Sequence, residues 1–356
     1  ELGYPTNRPL HHLMPIASVC KPLTGMAAVR EFFPSGDLLA IHQRLDQALG
    51  VENMINQTLR QRMHETTLAQ LLKHEAGWPG GFDNGELAAL GHAGGPPLVP
   101  GDTLGFVMKT AQTFLEAETS YPNLYSSPAV VALSERLSQL LAGGSGDVNP
   151  LQIGQFVTQI RENFWGLQPD EVPIAFHAPD ERETFKMFPN HSSWIGPGNF
   201  EGYPMQFDGF YEYDAGVGGF WMKAATLARI LSGMDASAIN VPQLLHPAAV
   251  QRLIDGTTPA LFASEKVIEF TSLQDLTVHR LLHHNGGGPG VSAIGGIYLP
   301  SLPYSTPPSM CIVYLENWDN PLGPGWGRPM LDELRAIALE IERDHGWEND
   351  DLFTFL

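Results

Sequence analysis

The sequence predicts an α/β (α+β) protein, with one α/β lobe and one all-α lobe. Three observations lead there. Helical apolar periods dominate the middle of the chain, and strand-like runs followed by a helix fill its end. The 356 residues are 43% hydrophobic and 17% charged, which is enough apolar material for a large core. The 37 glycines and 29 prolines predict many turns and long loops rather than a helical bundle.

Taken in order, Glu1–Pro15 is polar and turn-rich. From Ile16 to about Phe33 the apolar spacing is helical, and Pro22 falls near the first turn, where a proline is tolerated. Phe33-Pro34-Ser35-Gly36 ends this helix. Thr67–His74 (TLAQLLKH) predicts a short amphipathic helix, closed by Gly77-Trp78-Pro79-Gly80-Gly81. A Gly- and Pro-rich loop spans Gly91–Gly101, and Ser127–Leu141 reads as a helix stopped by Gly143-Gly144. Asn149–Gly209 has no clean period and reads as long loops with short elements over a cleft. Lys223–Met234 predicts a helix after a glycine-rich turn. Leu276–His283, Val291–Leu299 and Met310–Leu315 read as strands, and a helix from about Met330 to Asp344 follows. No internal repeat or low-complexity tract interrupts this order.

Charge narrows the function. Lys plus Arg is 20 against 39 Asp plus Glu, a net charge of −19. Such a surface repels phosphate backbones, and no basic cluster offsets it, so nucleic acid is not an expected partner. No apolar run is long enough to span a bilayer. Two cysteines, Cys20 and Cys311, cannot build a disulfide scaffold and leave the compartment open. Cytoplasmic, or periplasmic or secreted after removal of a leader, are both compatible with a chain that starts at Glu1.

Three short motifs could carry chemistry. The first is Ser18-Val19-Cys20-Lys21. Residues three apart on a helix share a face, so the lysine amine lies beside the serine hydroxyl. A serine needs a neighbouring base to become a good nucleophile, and a lysine serves once burial and nearby charge favour its neutral form. Among six lysines only Lys21 has a serine three residues before it. A capping serine with a surface lysine is the ordinary alternative. The second motif is Tyr121-Pro122-Asn123, where a phenol could pass protons and an amide could hold a carbonyl. A packed loop tyrosine is its alternative. The third is His284-Asn285-Gly286-Gly287, a glycine-rich edge after a strand. Glycine lets a backbone N–H approach a ligand, so Gly287 N–H could join Ser18 N–H in an oxyanion hole. A hairpin turn is the alternative here. A phosphate loop is poorly supported, because no Gly-Lys-Ser/Thr follows.

With these residues the chain resembles the serine β-lactamase and penicillin-binding-protein superfamily. Its nearest branch is similar to class C β-lactamases, DD-peptidases and family VIII esterases. The likeness runs over most of the chain. Pro15–Thr24 (PIASVCKPLT) resembles the first family motif, and Thr67–Pro79 (TLAQLLKHEAGWP) resembles a "LLTHTSGLP" stretch. Ala215–Gly219 with the following helix resembles "GAGGL…DLARF", and His284–Ser292 (HNGGGPGVS) resembles "HTGGTPGFS". The resemblance implies a β-lactamase-like fold, an antiparallel sheet flanked by helices beside an all-α lobe. Residues 1–30 and 215–356 would form the α/β lobe of a single domain, and residues 31–214 the helical, loop-rich lobe. It also implies Ser18 as nucleophile, Lys21 as its base and Tyr121 as second proton carrier. Asn123, His284, Asn285, Gly286 and Gly287 would bind substrate, with Ser18 and Gly287 N–H groups on the oxyanion.

Two departures matter. His284 stands where β-lactamases carry a lysine that meets the substrate carboxylate, which argues against efficient β-lactam hydrolysis. Only 17 residues precede Ser18, fewer than the family's usual helix and two strands need. The sequence therefore predicts that those strands were removed, lie in another chain, or are replaced by contacts in an oligomer or with a companion.

The remaining features have plain readings. His11-His12 and His283-His284 are adjacent pairs rather than the i, i+4 pairs of a helical zinc site. Cys20 reads as a small buried residue on another helix face. No Gly-x-Ser-x-Gly elbow occurs, which argues against an α/β-hydrolase. Aromatics from Trp194 to Trp221 either line the cleft or pack in the core. The expectation is a serine hydrolase of small esters or amides, foremost a carboxylesterase, with no metal or organic cofactor. A D-amino-acid peptidase or β-lactam-binding relative, an acyltransferase and a non-catalytic penicillin-binding-like scaffold are the alternatives.

Overall fold

Pro22 settles where the first long helix can begin. It has no N–H to donate, so it fits only a turn whose amides lack intrahelical partners. In the computed structural model α1 spans Cys20–Phe32, with Pro22 in its first turn. A single 3-10 turn, Ala17–Val19, leads into it. The structure describes residues 14–33, 64–76, 186–187, 203–204, 220–234, 244–254, 268–271, 278–288, 291–300 and 310–316, plus twelve single positions (47, 48, 130, 133, 134, 136, 137, 140, 216, 218, 333 and 336).

Helix α2 spans Leu68–Leu72. Thr67 caps it in a reciprocal box: Gln70 N–H donates to Thr67 Oγ1 at 3.3 Å, and Thr67 N–H donates to Gln70 Oε1 at 2.8 Å. This satisfies amides that a five-residue helix would otherwise leave open. Helix α3, Ala224–Ser232, buries Thr226, Leu227, Ile230 and Leu231, the spacing of one helix face. Helix α4, Pro247–Ile254, opens on a proline and buries Ala249, Val250 and Leu253. Val130, Leu133, Ser134, Arg136, Leu137 and Leu140 are helical where the sequence predicts a helix, as are Glu333 and Ala336.

The main sheet is antiparallel. Strands β5 (Ile268–Thr271), β6 (Val278–Gly288), β7 (Val291–Pro300) and β8 (Met310–Glu316) lie in that order. Two-residue strands β1 (Met14–Pro15) and β4 (Trp221–Met222) pair with each other, and β2 (Lys186–Met187) pairs with β3 (Tyr203–Pro204). The described residues thus form mixed helix and antiparallel sheet, as the sequence predicts. Among them β8 pairs on one side only, with β7.

One difference concerns β6. The sequence predicts a strand ending at His283 and a glycine-rich edge after it. The strand instead runs on to Gly288, and its register with β7 holds from His279↔Pro300 to Gly288↔Val291. His284 to Gly288 are therefore strand, not loop, with only residues 289 and 290 between the paired ends.

The 3-10 turn and α3 pack on β7 through a gap made by glycine. A Cβ at Gly295 would stand 2.6 Å from Val19 Cγ1 and 3.4 Å from Leu227 Cδ2. The buried cluster then continues from Val19, Leu23 and Met26 to Leu68, Leu71, Val130 and Leu133. No helix among the described residues is long and apolar enough to cross a membrane.

Candidate active site

Ser18 sits on the 3-10 turn rather than inside α1. Lys21 follows three residues later in the first turn of α1, so the two side chains share a face. Lys21 Nζ donates to Ser18 Oγ at 2.8 Å. The lysine is only 1% exposed. Backbone strain accompanies this turn: Ala17 has φ 45°, a left-handed value costly for a residue with a Cβ. Anchors hold it from both sides. Ile16 N–H donates to Phe220 O at 3.0 Å, and Phe220 N–H points at Cys20 Sγ at 3.4 Å. The buried Cys20 is thus a packing and acceptor residue.

Strand β6 lies against this turn. A Cβ at Gly286 would collide with the Ile16 carbonyl oxygen and come 3.1 Å from Ser18 N. Backbone, not a movable side chain, blocks that space. Gly286 is therefore the close-approach glycine of the motif, and Gly287 follows it opposite Ser292 on β7.

Alternation along β6 puts His284 on the face that Gly286 turns to Ser18. His284 is 5% exposed. Its Nδ1 lies 2.6 Å from Asn285 O. A carbonyl only accepts, so Nδ1 carries the proton. Burial first, and then the Lys21 charge, lowers the His284 pKa to about 3, with the Asn285 carbonyl opposing both. His283 lies on the other face, opposite Gly296, where a Cβ would come 2.9 Å from His283 Cβ. Burial lowers its pKa too, and the Asn285 side chain partly offsets this.

The site contains a histidine, His74, to which the sequence reading assigns no role. His74 follows α2 in a left-handed conformation, φ 59°. Glu75 N–H donates to Gln70 O at 2.7 Å, and His74 N–H donates to Leu71 O at 2.9 Å. This is a Schellman ending, whose left-handed position usually holds glycine. Here it holds a largely buried imidazole close enough to feel Lys21: burial first, then the Lys21 charge, lowers the His74 pKa to about 4. A histidine in place of the expected helix-ending glycine is the available sequence signal.

Of the sequence-predicted residues, the structure gathers Ser18, Lys21, His284, Asn285, Gly286 and Gly287 around the start of α1 and the end of β6. Tyr121 and Asn123 lie outside the described residues. Behind Lys21, Thr24 Oγ1 donates to Gly216 O at 2.6 Å, and a Cβ at Gly216 would collide with Ser134 Oγ. Among the described residues no group of three or more His, Cys, Asp or Glu side chains could hold a metal ion.

Comparison with known proteins adds a fold likeness. No family model matches the chain, and no curated protein matches it. Among solved structures it is similar to SurE with D-Leu, at TM-score 0.50 and 14% identity over 94% of this chain. The match covers 66% of the SurE chain, just under two thirds of its length. A class C β-lactamase is also similar, at TM-score 0.49 and 10% identity, over 95% of this chain and 83% of that one. At such identities the likeness concerns the fold alone.

Proposed function

We propose that this chain is a serine hydrolase that works through an acyl-enzyme on Ser18 and cleaves small carboxylic esters. The observation that carries the reading is the 2.8 Å contact between Lys21 Nζ and Ser18 Oγ, made by a lysine buried to 1% exposure. A buried lysine beside a serine on a strained turn is costly as structure and useful as a nucleophile–base pair. The β-lactamase-like motif order in the sequence points the same way.

In this reading the neutral Lys21 amine takes the Ser18 proton as Oγ attacks the ester carbonyl. Backbone N–H groups of Ser18 and Gly287 hold the oxyanion. Tyr121 gives its proton to the leaving alcohol and takes one back from the Lys21 ammonium, and Asn123, His284, Asn285 and Gly286 position the substrate. Water then attacks the acyl-Ser18 ester, gives a proton to the Lys21–Tyr121 pair, which returns one to Ser18 Oγ, and the acid leaves.

The test is hydrolysis of p-nitrophenyl esters by the native chain, Ser18→Ala, Lys21→Met and Tyr121→Phe. The reading expects turnover that Ser18→Ala abolishes and the other two lower by about 10²–10⁴-fold. Equal turnover by Ser18→Ala would contradict it. A second reading, hydrolysis of peptides containing D-amino acids, takes support from the D-Leu that accompanies SurE. Release of D-leucine from a D-Leu peptide, faster than cleavage of any simple ester, would favour it.

A further inference from the structure

We infer that His74 is a positioning residue of the Ser18–Lys21 pair: the left-handed end of α2 brings its imidazole to the surroundings of the buried amine, where it keeps out water and counter-charge. This rests on the hydrolase reading above and adds a residue to that same site. Position 74 carries two costs. Its φ of 59° suits glycine and strains a residue with a Cβ. A largely buried imidazole also gives up hydration, and its Nε2 has no contact with solvent. The helix ending imposes neither cost. Its bonds, from His74 N–H to Leu71 O and from Glu75 N–H to Gln70 O, use backbone alone, so glycine would make them equally well. A strained, buried polar residue kept where glycine would serve marks a use for the side chain.

That use lies around Lys21. Leu68, Leu71 and Leu72 root α2 in the same buried cluster as Leu23 and Met26 of α1, which fixes where the helix ends. At that end the Lys21 charge acts on His74, and Lys21 and His74 both act on His284 of β6. Among the described residues, every charge that acts on these two imidazoles belongs to a base: Lys21, His74 or His283. A carboxylate at position 74 would hold Lys21 as an ammonium, and water would do so more weakly. An ammonium cannot take the serine proton. An imidazole kept neutral by burial fills the space and does neither.

Two measurements test this. The first takes native protein, His74→Gly and His74→Asn, each also in a Lys21→Met background, with p-nitrophenyl acetate as substrate and urea unfolding alongside. Glycine suits the backbone, so His74→Gly should be as stable as native protein or more so, while kcat falls by about tenfold or more and KM stays within about twofold. His74→Asn tolerates a left-handed φ but is too short to fill the space, and should lose kcat likewise. In Lys21→Met neither substitution should lower kcat by more than about a further twofold, because His74 acts through the amine. Unchanged kcat in His74→Gly, or its full loss repeated in the Lys21→Met background, overturns the inference and leaves the hydrolase reading standing. The second is NMR of the imidazoles as pH is lowered, with the His74 signals assigned by their loss in His74→Asn. His74 should begin to titrate at least about half a pH unit higher in Lys21→Met than in native protein, because the opposing charge is gone. Equal titration in the two overturns the inference whether or not the protein turns over esters. A shifted titration with no turnover of any ester overturns the hydrolase reading and the role of His74 together.

Discussion

Lys21 Nζ donates to Ser18 Oγ at 2.8 Å from a side chain that is 1% exposed, and the turn that carries the serine opens on a left-handed alanine, Ala17. A buried amine and a strained turn both work against stability. Their coincidence at one hydroxyl is the feature on which the proposed nucleophile–base pair rests.

Lys21→Met should separate function from stability. Methionine fills a similar volume and removes a buried amine from an apolar setting. Urea unfolding should show equal or higher stability, while ester turnover falls by about 10²–10⁴-fold. A large loss of stability would make Lys21 a structural residue instead.

Gly286→Ala should damage both. Its new Cβ meets the Ile16 carbonyl and lies 3.1 Å from Ser18 N, so β6 or the serine turn must move. The expected cost is about 1–3 kcal/mol in unfolding, with at least about 10²-fold lost from kcat/KM. Native activity in the Gly286→Ala variant would place β6 farther from Ser18.

The buried histidines predict acid sensitivity. Folded pKa values are about 4 for His74 and about 3 for His284, both below the ordinary value of 6.5. Below about pH 6.5 the unfolded chain binds protons that the folded chain refuses, so these groups stabilise the fold above that pH. That stability drains as pH falls toward the folded values, at about 1.4 kcal/mol per pH unit per histidine. Unfolding free energies between about pH 6.5 and 4.5 should fall less steeply in His284→Gln, by about one proton's slope. Identical slopes would mean that His284 titrates normally in the folded state.

Thr24→Val should cost about 1–3 kcal/mol by thermal or urea unfolding, because it removes the donor to the buried Gly216 carbonyl at 2.6 Å. A neutral result would show that another donor reaches that carbonyl.

Much of the scaffold is legible in the sequence. Helical periods locate α1, α2 and α3, since these depend on local spacing. The Ser18–Lys21 contact follows from their separation, although Ser18 stands on a 3-10 turn just before α1 rather than inside it. The end of β6 escapes a local reading because glycine runs favour turns. Its conformation is set by β7 and by the backbone of Ile16, which no local pattern reports. His74 escapes for a similar reason. Only the hydrogen bonds that close α2 bring its ring within reach of the Lys21 charge.

The most direct measurement is intact mass after exposure to p-nitrophenyl acetate, for the native chain and Ser18→Ala side by side. The account predicts an acetyl adduct, mapped to Ser18 in rapidly quenched samples and absent from Ser18→Ala. An adduct that persists in Ser18→Ala, or native protein that is folded yet never acylated by any activated ester, would contradict it.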